Sequence, residues 1–247
     1  MTNTYRIAER TVLIQSIYEE VHTLFGDYRT ELSPNEEPDL TVSVTKEHID
    51  KERAFSSAEA ERSGVPLPDY SDSYLETLVV RRQIADRMIA FDTVLFHGSA
   101  VAVDGIAYLF TAEEGAETSA HTALWKEAFG ERAVTVNDDR SFLLISEEGV
   151  TVFGTPWNGK NGCVTNDGYP LRAICISERA ETNRIERIGK KEVFAALVPK
   201  LHRPRNPVGL MQSMCLFDAM LDRLELYRFG CNMEKEAAEF AYKGING

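Results

Sequence analysis

The segment IAYLFTAEEGAETSAHTALWKEAFG, residues 106–130, decides the fold of this chain. Residues 106–110 form a short apolar run that is typical of a buried strand. Residues 119–129 carry apolar side chains at helical spacing, and Gly130 follows them as a helix stop. The segment therefore predicts a strand, a loop and a helix in direct succession.

The residues that follow extend this pattern. AVTV at 133–136 reads as a second strand, and it ends in Asn137, Asp138 and Asp139. A strand, a loop, a helix, a strand and then an acidic pair is the order of a mononucleotide-binding α/β unit. In such units the acidic residues after the second strand hold a magnesium ion.

The loop between strand and helix lacks the residues that cradle phosphates. A phosphate-binding loop reads G-x-x-x-x-G-K-[ST], because glycines let backbone N–H groups curl around phosphates and the lysine meets their outer oxygens. On that template Ala112 and Glu117 take the two glycine positions, and Thr118 takes the lysine position. Gly115 lies inside the loop, and Ser119 alone keeps its motif identity as the magnesium-side hydroxyl.

These replacements change the charge of the loop. Thr118 carries no charge, and a carboxylate at Glu117 occupies the electropositive helix N-terminus that would attract phosphate. Glu113 and Glu114 add to the negative field. Two interpretations remain open. The glutamates can supply the negative charge that stabilises the first turn of the helix, or the loop can receive a cation, a metal or a basic partner.

Several short motifs along the chain resemble one family. They are FHGSAVAVDG at 96–105, the helix AHTALWKEAFG, VNDD at 136–139, FGTPWNGK at 153–160 and YRFGCNME at 227–234. Together, over roughly residues 75–242, they resemble HPr kinase/phosphorylase-like proteins of the phosphoenolpyruvate carboxykinase-like group of phosphate-loop folds. The family loop usually reads T-A-P-S-G-T-G-K-S-T-H-T. This chain departs from it at the second glycine, the lysine and the threonine after the serine.

The resemblance implies a fold and a set of site residues. It implies an α/β fold with a mixed central sheet flanked by helices, and it brings ATP and Mg²⁺ as cofactors. One of Asp138 and Asp139 would act as the base and the other, with Ser119, on the metal side, while His97 would lie close to the metal or phosphates. From the residues alone, Asp138 and Asp139 are equally explained as surface acids of an Asx turn. His97 is equally explained as a partly buried histidine bonded to a loop.

Two further cations are candidates for phosphate contact. Lys160 lies in the glycine- and proline-bearing loop GTPWNGK, and Arg179 follows the strand-like run LRAICIS. Either could supply positive charge that the loop has lost, since phosphoryl transfer does not require that charge from one fixed position. The alternatives are a solvated Lys160 and an Arg179 paired with Glu178 or Glu181.

Two functions follow from these observations. The first is an HPr kinase-like protein with a degenerate loop, catalytically impaired and acting in binding or regulation, for example of a peptide or carrier protein. The alternative is an active ATP-dependent kinase that transfers phosphate to a protein serine or a small hydroxyl compound. Loss of the second glycine and of the lysine favours the first, and retention of Ser119, His97 and the aspartate pair favours the second.

Composition limits the partners. The chain has 247 residues, of which 43% are hydrophobic and 27% charged, enough for one sizeable domain with a small appendage. A net charge of −12 argues against broad binding to nucleic acid or anionic membranes and favours a basic partner surface. No apolar stretch approaches the roughly 20 residues of a membrane span, and no signal peptide is recognisable, so we expect a cytoplasmic protein. The resemblance adds a possible homo-oligomer, because the related kinases often assemble.

The chain divides into two predicted parts. Residues 1–73 form a small β-rich region with the strand-like runs RTVLIQ and LTVSV and a polar connector. Residues 74–247 form the nucleotide-fold domain, which begins with a helix at 74–92 that we expect to pack on its sheet.

Strands at 150–154 and 171–177 and helices at 190–198, 207–223 and 233–242 complete the second part. The helix at 207–223 is apolar on most sides, which predicts that Met211, Met214, Cys215 and Met220 belong to the core. The cysteines show no metal-ligand spacing, and Cys163 alone lies in a loop where reactivity merits a test.

Overall fold

The computed structural model describes residues 1–66, 69–112, 119–157 and 165–247. The chain forms two compact units, Met1–Arg87 and Met88–Gly247. The division falls one helix later than the predicted boundary at 73/74.

The N-terminal unit combines three strands with helices. They are β1 (Thr2–Ile7), β2 (Arg10–Gln15), α1 (Glu20–Leu24), β3 (Leu40–Ser43), α2 (Lys46–Ser63) and α3 (Asp72–Met88). β1 and β2 form an antiparallel hairpin, and β3 runs parallel to β2. Ala8 and Glu9 both have positive φ, 45° and 66°, which is the backbone that a two-residue hairpin turn requires.

Helix α2 occupies a stretch predicted only as polar and charged. Thr45 caps its first turn by accepting from His48 N at 3.4 Å, and Gly64 ends it with φ of +65°. The sequence shows no clear apolar periodicity for this helix, because one of its few buried side chains, Glu52, is charged. Arg82 of α3 satisfies that carboxylate, with Nε at 2.8 and 3.0 Å from its two oxygens.

Helix α3 is bonded to the strands of this unit. The Glu76 carboxylate is fully buried and accepts hydrogen bonds from Ile17 N at 2.6 Å and Tyr18 N at 2.8 Å. These contacts, with the pair between Glu52 and Arg82, explain why the helix belongs to the N-terminal unit up to Arg87.

The C-terminal unit carries the remaining elements. They are β4 (Thr93–His97), β5 (Ser99–Val103), β6 (Ile106–Ala112), α4 (Ser119–Phe129), β7 (Ala133–Asn137), β8 (Arg140–Ser146), β9 (Gly149–Phe153), β10 (Gly168–Arg179), β11 (Arg184–Arg187), α5 (Lys190–Leu197), α6 (Pro207–Arg223), β12 (Glu225–Cys231) and α7 (Glu236–Asn246).

Nine strands form one mixed sheet. The main path runs β4-β8-β9-β10-β6-β5-β7, with β12 on β10 and β11 on β12. β6, β10 and β12 are parallel, and the other pairs are antiparallel. The first residues of β10 pair with β9 and its later residues pair with β12. The architecture is therefore mixed α/β with a central sheet, as expected.

Helices cover both faces of this sheet. On one face Phe217 and Met220 of α6 and Leu197 of α5 pack against buried residues such as Leu109. On the other face Trp125 of α4 and the alanines of α7 pack against the neighbouring residue, Phe110. Alternating side chains of a strand point to opposite faces, so consecutive apolar residues in β6 and β10 fill both cores.

Several predicted elements lie at their expected positions, and one prediction about the core is wrong. α4 and α6 have the predicted bounds, while β4, β8 and β11 were not predicted. α6 is not buried all round: Met220 is in the core, but Met211 and Cys215 are exposed. Cys163 lies outside the described residues. Within the described part of the chain, no helix is long and apolar enough to cross a membrane.

Candidate functional site

Strands of the C-terminal unit end and begin together at one edge of the sheet. His97, the last residue of β4, lies opposite Arg140, the first residue of β8. Asn137, the last residue of β7, lies opposite Ala100 near the start of β5. Ser99, the first residue of β5, lies opposite Phe110 near the end of β6. This edge collects the polar residues that the sequence singled out.

The turn between β7 and β8 is fixed by Asn137. Its buried Oδ1 accepts from Asp139 N at 2.8 Å and from Arg140 N at 2.9 Å, which is an Asx turn. Its Nδ2 donates to Thr155 O at 3.2 Å, and Thr155 Oγ1 donates to Arg140 O at 2.5 Å. The Asx turn is therefore present, and it holds both aspartates on a rigid support.

Asp138 is not the surface acid of the simpler interpretation. It is only 3% exposed. Ser99 Oγ donates to its carbonyl oxygen at 3.0 Å, which joins the start of β5 to the turn. A buried carboxylate beside a polar edge is typical of a site residue, since isolated charges are costly to bury.

His97 and Asp139 are brought into contact. His97 Nε2 lies 3.2 Å from Asp139 Oδ1, and both side chains are partly exposed. Gly98 N donates to Asp139 O at 2.9 Å, which fixes the junction between β4 and β5 against the turn. Gly98 has no room for a side chain, because a Cβ there would lie 2.7 Å from Leu109 Cδ2. The histidine side chain thus contacts an aspartate of the turn between β7 and β8.

Arg140 completes the cluster and was missed by the sequence analysis. Its Nε is buried and lies 3.5 Å from Asp139 Oδ2. Each carboxylate oxygen of Asp139 therefore faces a basic side chain, His97 on one side and Arg140 on the other. The available signal was a basic residue directly after the aspartate pair, but β8 was not predicted, so nothing placed it opposite His97.

The end of β6 lies beside this cluster. Thr111 Oγ1 donates to His97 O at 3.4 Å. The loop that follows β6 carries the predicted phosphate contacts Gly115, Glu117 and Thr118, which lie outside the described residues. The Ser119 side chain and Lys160 lie outside them as well. The predicted metal and phosphate roles of these residues remain predictions.

Arg179 was the second candidate cation for phosphate contact. It ends β10, opposite Cys231 of β12, and lines a shallow surface recess with Ala180, Glu181, Asn232 and Glu234. Of the predicted partners, Glu178 pairs with Arg184. No described contact joins Arg179 to His97 or the aspartates, and its phosphate role stays a prediction.

His121, in the first turn of α4, is a second histidine that sequence analysis did not select. Its ring stacks on Phe110, with centroids 4.8 Å apart and planes 16° apart, and it lies 5.7 Å from the Phe229 ring. Its Nδ1 is buried and has no hydrogen-bond partner within residues 1–66, 69–112, 119–157 and 165–247. Burial lowers the pKa of His121 to about 4, so the ring is neutral at pH 7. The sequence signal was its position two residues after Ser119.

The described residues alone do not form a complete metal site. The carboxylate of Asp139 is already paired on both oxygens inside the protein. Residues 1–66, 69–112, 119–157 and 165–247 contain no group of three or more His, Cys, Asp or Glu side chains that could hold a metal ion. Mg²⁺ is commonly held by one or two carboxylates together with waters and substrate phosphates, and the described carboxylates at this edge are those of Asp138 and Asp139.

Comparison with known proteins finds likeness only among solved structures. No protein-family model matches the chain. None of the curated proteins matches it either. Among solved structures, the HPr(Ser) kinase/phosphatase from Coxiella burnetii is similar at 11% sequence identity and a TM-score of 0.35, with 62% of this chain and 99% of that chain covered. Similarity at this level does not establish a shared activity.

Proposed function

We propose that the C-terminal unit is an HPr kinase-like nucleotide fold with a degenerate phosphate loop, impaired in phosphoryl transfer and acting in binding or regulation. The observation that carries this proposal is the double pairing of Asp139, by His97 at 3.2 Å and by Arg140 at 3.5 Å. Both oxygens of this carboxylate face basic side chains, so a metal ion or a substrate hydroxyl competes with them for its remaining lone pairs.

The pairing has an energetic consequence. Opposite unit charges about 4 Å apart attract by about 4 kcal/mol at an effective dielectric of about 20. A partly exposed pair is worth less because solvent screens it. An incoming cation therefore competes with Arg140 for the Asp139 carboxylate, which weakens magnesium binding at this edge.

The loop sequence also lowers the expected affinity for a nucleotide. The missing lysine removes a charge-assisted hydrogen bond worth about 1.5–3 kcal/mol. Glu117 places a carboxylate where phosphate would lie, and the repulsion weakens nucleotide binding further. Two separate parts of the site therefore disfavour ATP.

The proposed partner is a protein or peptide with a basic surface. A chain with a net charge of −12 repels nucleic acid and attracts cationic segments. This support is electrostatic, and it concerns only the charge of the partner.

Calorimetric titration with ATP and ADP, each with and without magnesium, tests the proposal. We expect no micromolar binding by the native chain and recovered affinity in Glu117→Gly/Thr118→Lys, because that variant restores the glycine and the charge of the loop. A variant that still does not bind ATP would contradict the idea that this loop derives from a phosphate-binding loop.

A second function has one observation in its favour. His97 beside Asp139, next to the buried Asp138, is an arrangement that could orient a hydroxyl nucleophile for an ATP- and Mg²⁺-dependent kinase. The same titration separates the two. Magnesium-dependent micromolar binding by the native chain, about −8 kcal/mol, would favour the kinase and overturn impairment.

A further inference from the structure

A recess opens between α2 and α3 of the N-terminal unit. Its volume is about 320 Å³, which is in the range of sites that hold small molecules. Glu59 and Ala60 line its α2 wall, and Leu78 and Arg81 line its α3 wall. The candidate functional site belongs to the C-terminal unit, so the recess shares no residue with it.

Three of the side chains that line the recess are apolar and exposed. Val65 is 54% exposed, Tyr70 36% and Tyr74 45%. The two tyrosine rings lie with centroids 4.7 Å apart and planes 48° apart, so they form a joint aromatic surface. Apolar and aromatic side chains gathered around one recess, with a few polar groups among them, are typical of a small-molecule site.

The backbone holds this surface in place. Val65 N donates to Ala60 O at 3.1 Å, which turns the chain back over the end of α2. Arg53 Nη1 donates to Tyr70 O at 2.7 Å, which ties the segment before α3 to α2. Tyr74 lies in the first turns of α3 itself. The apolar lining therefore rests on hydrogen-bonded backbone.

The charged side chains of the recess have opposite signs. Glu59 lies on one wall and Arg81 on the other. Arg82 also lines the recess, but Glu52 compensates its charge by accepting from its Nε at 2.8 and 3.0 Å. A simple anion would meet the carboxylate of Glu59, and a simple cation would meet the guanidinium group of Arg81. A ligand that carries both charges meets an opposite charge for each.

We propose that the recess binds a free aromatic α-amino acid. Its ammonium group contacts Glu59, its carboxylate contacts Arg81, and its ring lies against Tyr70 and Tyr74. A guanidinium group has five N–H donors, so Arg81 can keep a contact within the chain and still receive a carboxylate. This site does not depend on the function proposed for the C-terminal unit.

Calorimetric titration of the full chain with L-phenylalanine and three analogues tests the ligand class. 3-Phenylpropionate lacks the ammonium group, phenethylamine lacks the carboxylate, and L-alanine lacks the ring. We expect L-phenylalanine to bind, and each analogue to bind at least about tenfold more weakly because each loses one contact. No binding of L-phenylalanine, L-tyrosine or L-tryptophan at millimolar concentration, or equal binding of L-phenylalanine and its analogues, would overturn the proposal.

Variants of the two charged residues assign each contact. In Glu59→Gln the preference for L-phenylalanine over 3-phenylpropionate should disappear, because the variant lacks the partner of the ammonium group. In Arg81→Gln the preference over phenethylamine should disappear for the same reason. Glu61→Gln changes another exposed carboxylate of α2 that does not line the recess, and it should leave both preferences unchanged.

The comparison of preferences also guards against a loss of fold. A variant that merely unfolds the unit would weaken all four ligands together, whereas loss of one contact removes one preference and keeps the other. Circular dichroism of each variant at the titration temperature checks that it is folded. If both preferences persist in both folded variants, the amino acid does not bind between Glu59 and Arg81, and the proposed site is wrong.

Discussion

At the scale of single residues, His121 makes the free energy of unfolding depend on pH. Its ring is buried between Phe110 and Phe229, and no hydrogen bond offsets the cost of charging Nδ1. The folded pKa is about 4, below the model-peptide value of 6.5, so the folded state binds fewer protons than the unfolded state. Stability is complete above about pH 6.5 and falls as the pH drops towards about 4, by up to about 3 kcal/mol.

The variant His121→Phe should remove this dependence, because phenylalanine fits an aromatic pocket and does not titrate. Urea unfolding at pH 7 and pH 5, followed by tryptophan fluorescence, measures it, since Trp125 and Trp157 both lie in the C-terminal unit. We expect the native chain to lose about 2 kcal/mol more than the variant between the two pH values. Equal losses would mean that His121 is not the titrating group.

At the scale of elements, Glu76 holds the end of β2 to α3. Its fully buried carboxylate accepts from two consecutive backbone N–H groups, at Ile17 and Tyr18. Glu76→Gln keeps the shape but sets an amide NH₂ against one of those donors, which should cost about 1–3 kcal/mol of unfolding free energy. Hydrogen exchange at the Ile17 and Tyr18 amides should accelerate strongly. Glu61→Gln on the exposed side of α2 is the control, and identical exchange in both variants would refute this role.

The elements also show what the sequence could and could not reveal. α4 and α6 were predictable because clear stop and start residues, Gly130 and Pro207, bound their apolar periodicity. α2 was not, because its stability depends on a pair, Glu52 with Arg82, whose members lie 30 residues apart. A tertiary contact of that kind leaves no periodic signal in either segment.

The candidate site divides in the same way. The aspartate pair was found because it follows a recognisable strand, and His97 was found because it follows an apolar run within a motif of the resembled family. The contact between His97 and Asp139 was not predictable, because it depends on the pairing of β4 with β8, which are distant in sequence. Arg140 was missed for that reason, and its contact with Asp139 changed the interpretation of the site.

At the scale of the whole molecule, two defects of the proposed nucleotide site lie in different parts of the fold. The loop between β6 and α4 lacks the second glycine and the lysine of the phosphate-loop motif, and the turn between β7 and β8 holds a carboxylate that lies 3.5 Å from Arg140 Nε. Effects of separated sites add when they share no partner. Repair of the loop should therefore restore phosphate affinity without magnesium dependence, and release of Asp139 should supply the magnesium dependence.

Titration of Glu117→Gly/Thr118→Lys with and without Arg140→Gln separates these effects. We expect the loop variant to bind ATP equally with and without magnesium. The triple variant should bind at least about tenfold more tightly when magnesium is present, because Asp139 no longer has Arg140 as a competitor for the metal. Arg140→Gln alone should not bind. Arg228→Gln, at the exposed position of β12, is the control: combined with the loop variant in place of Arg140→Gln, it should add no magnesium dependence. If the loop variant already showed full magnesium dependence, the pairing of Asp139 with Arg140 would not be what blocks the metal, and impairment would lie in the loop alone.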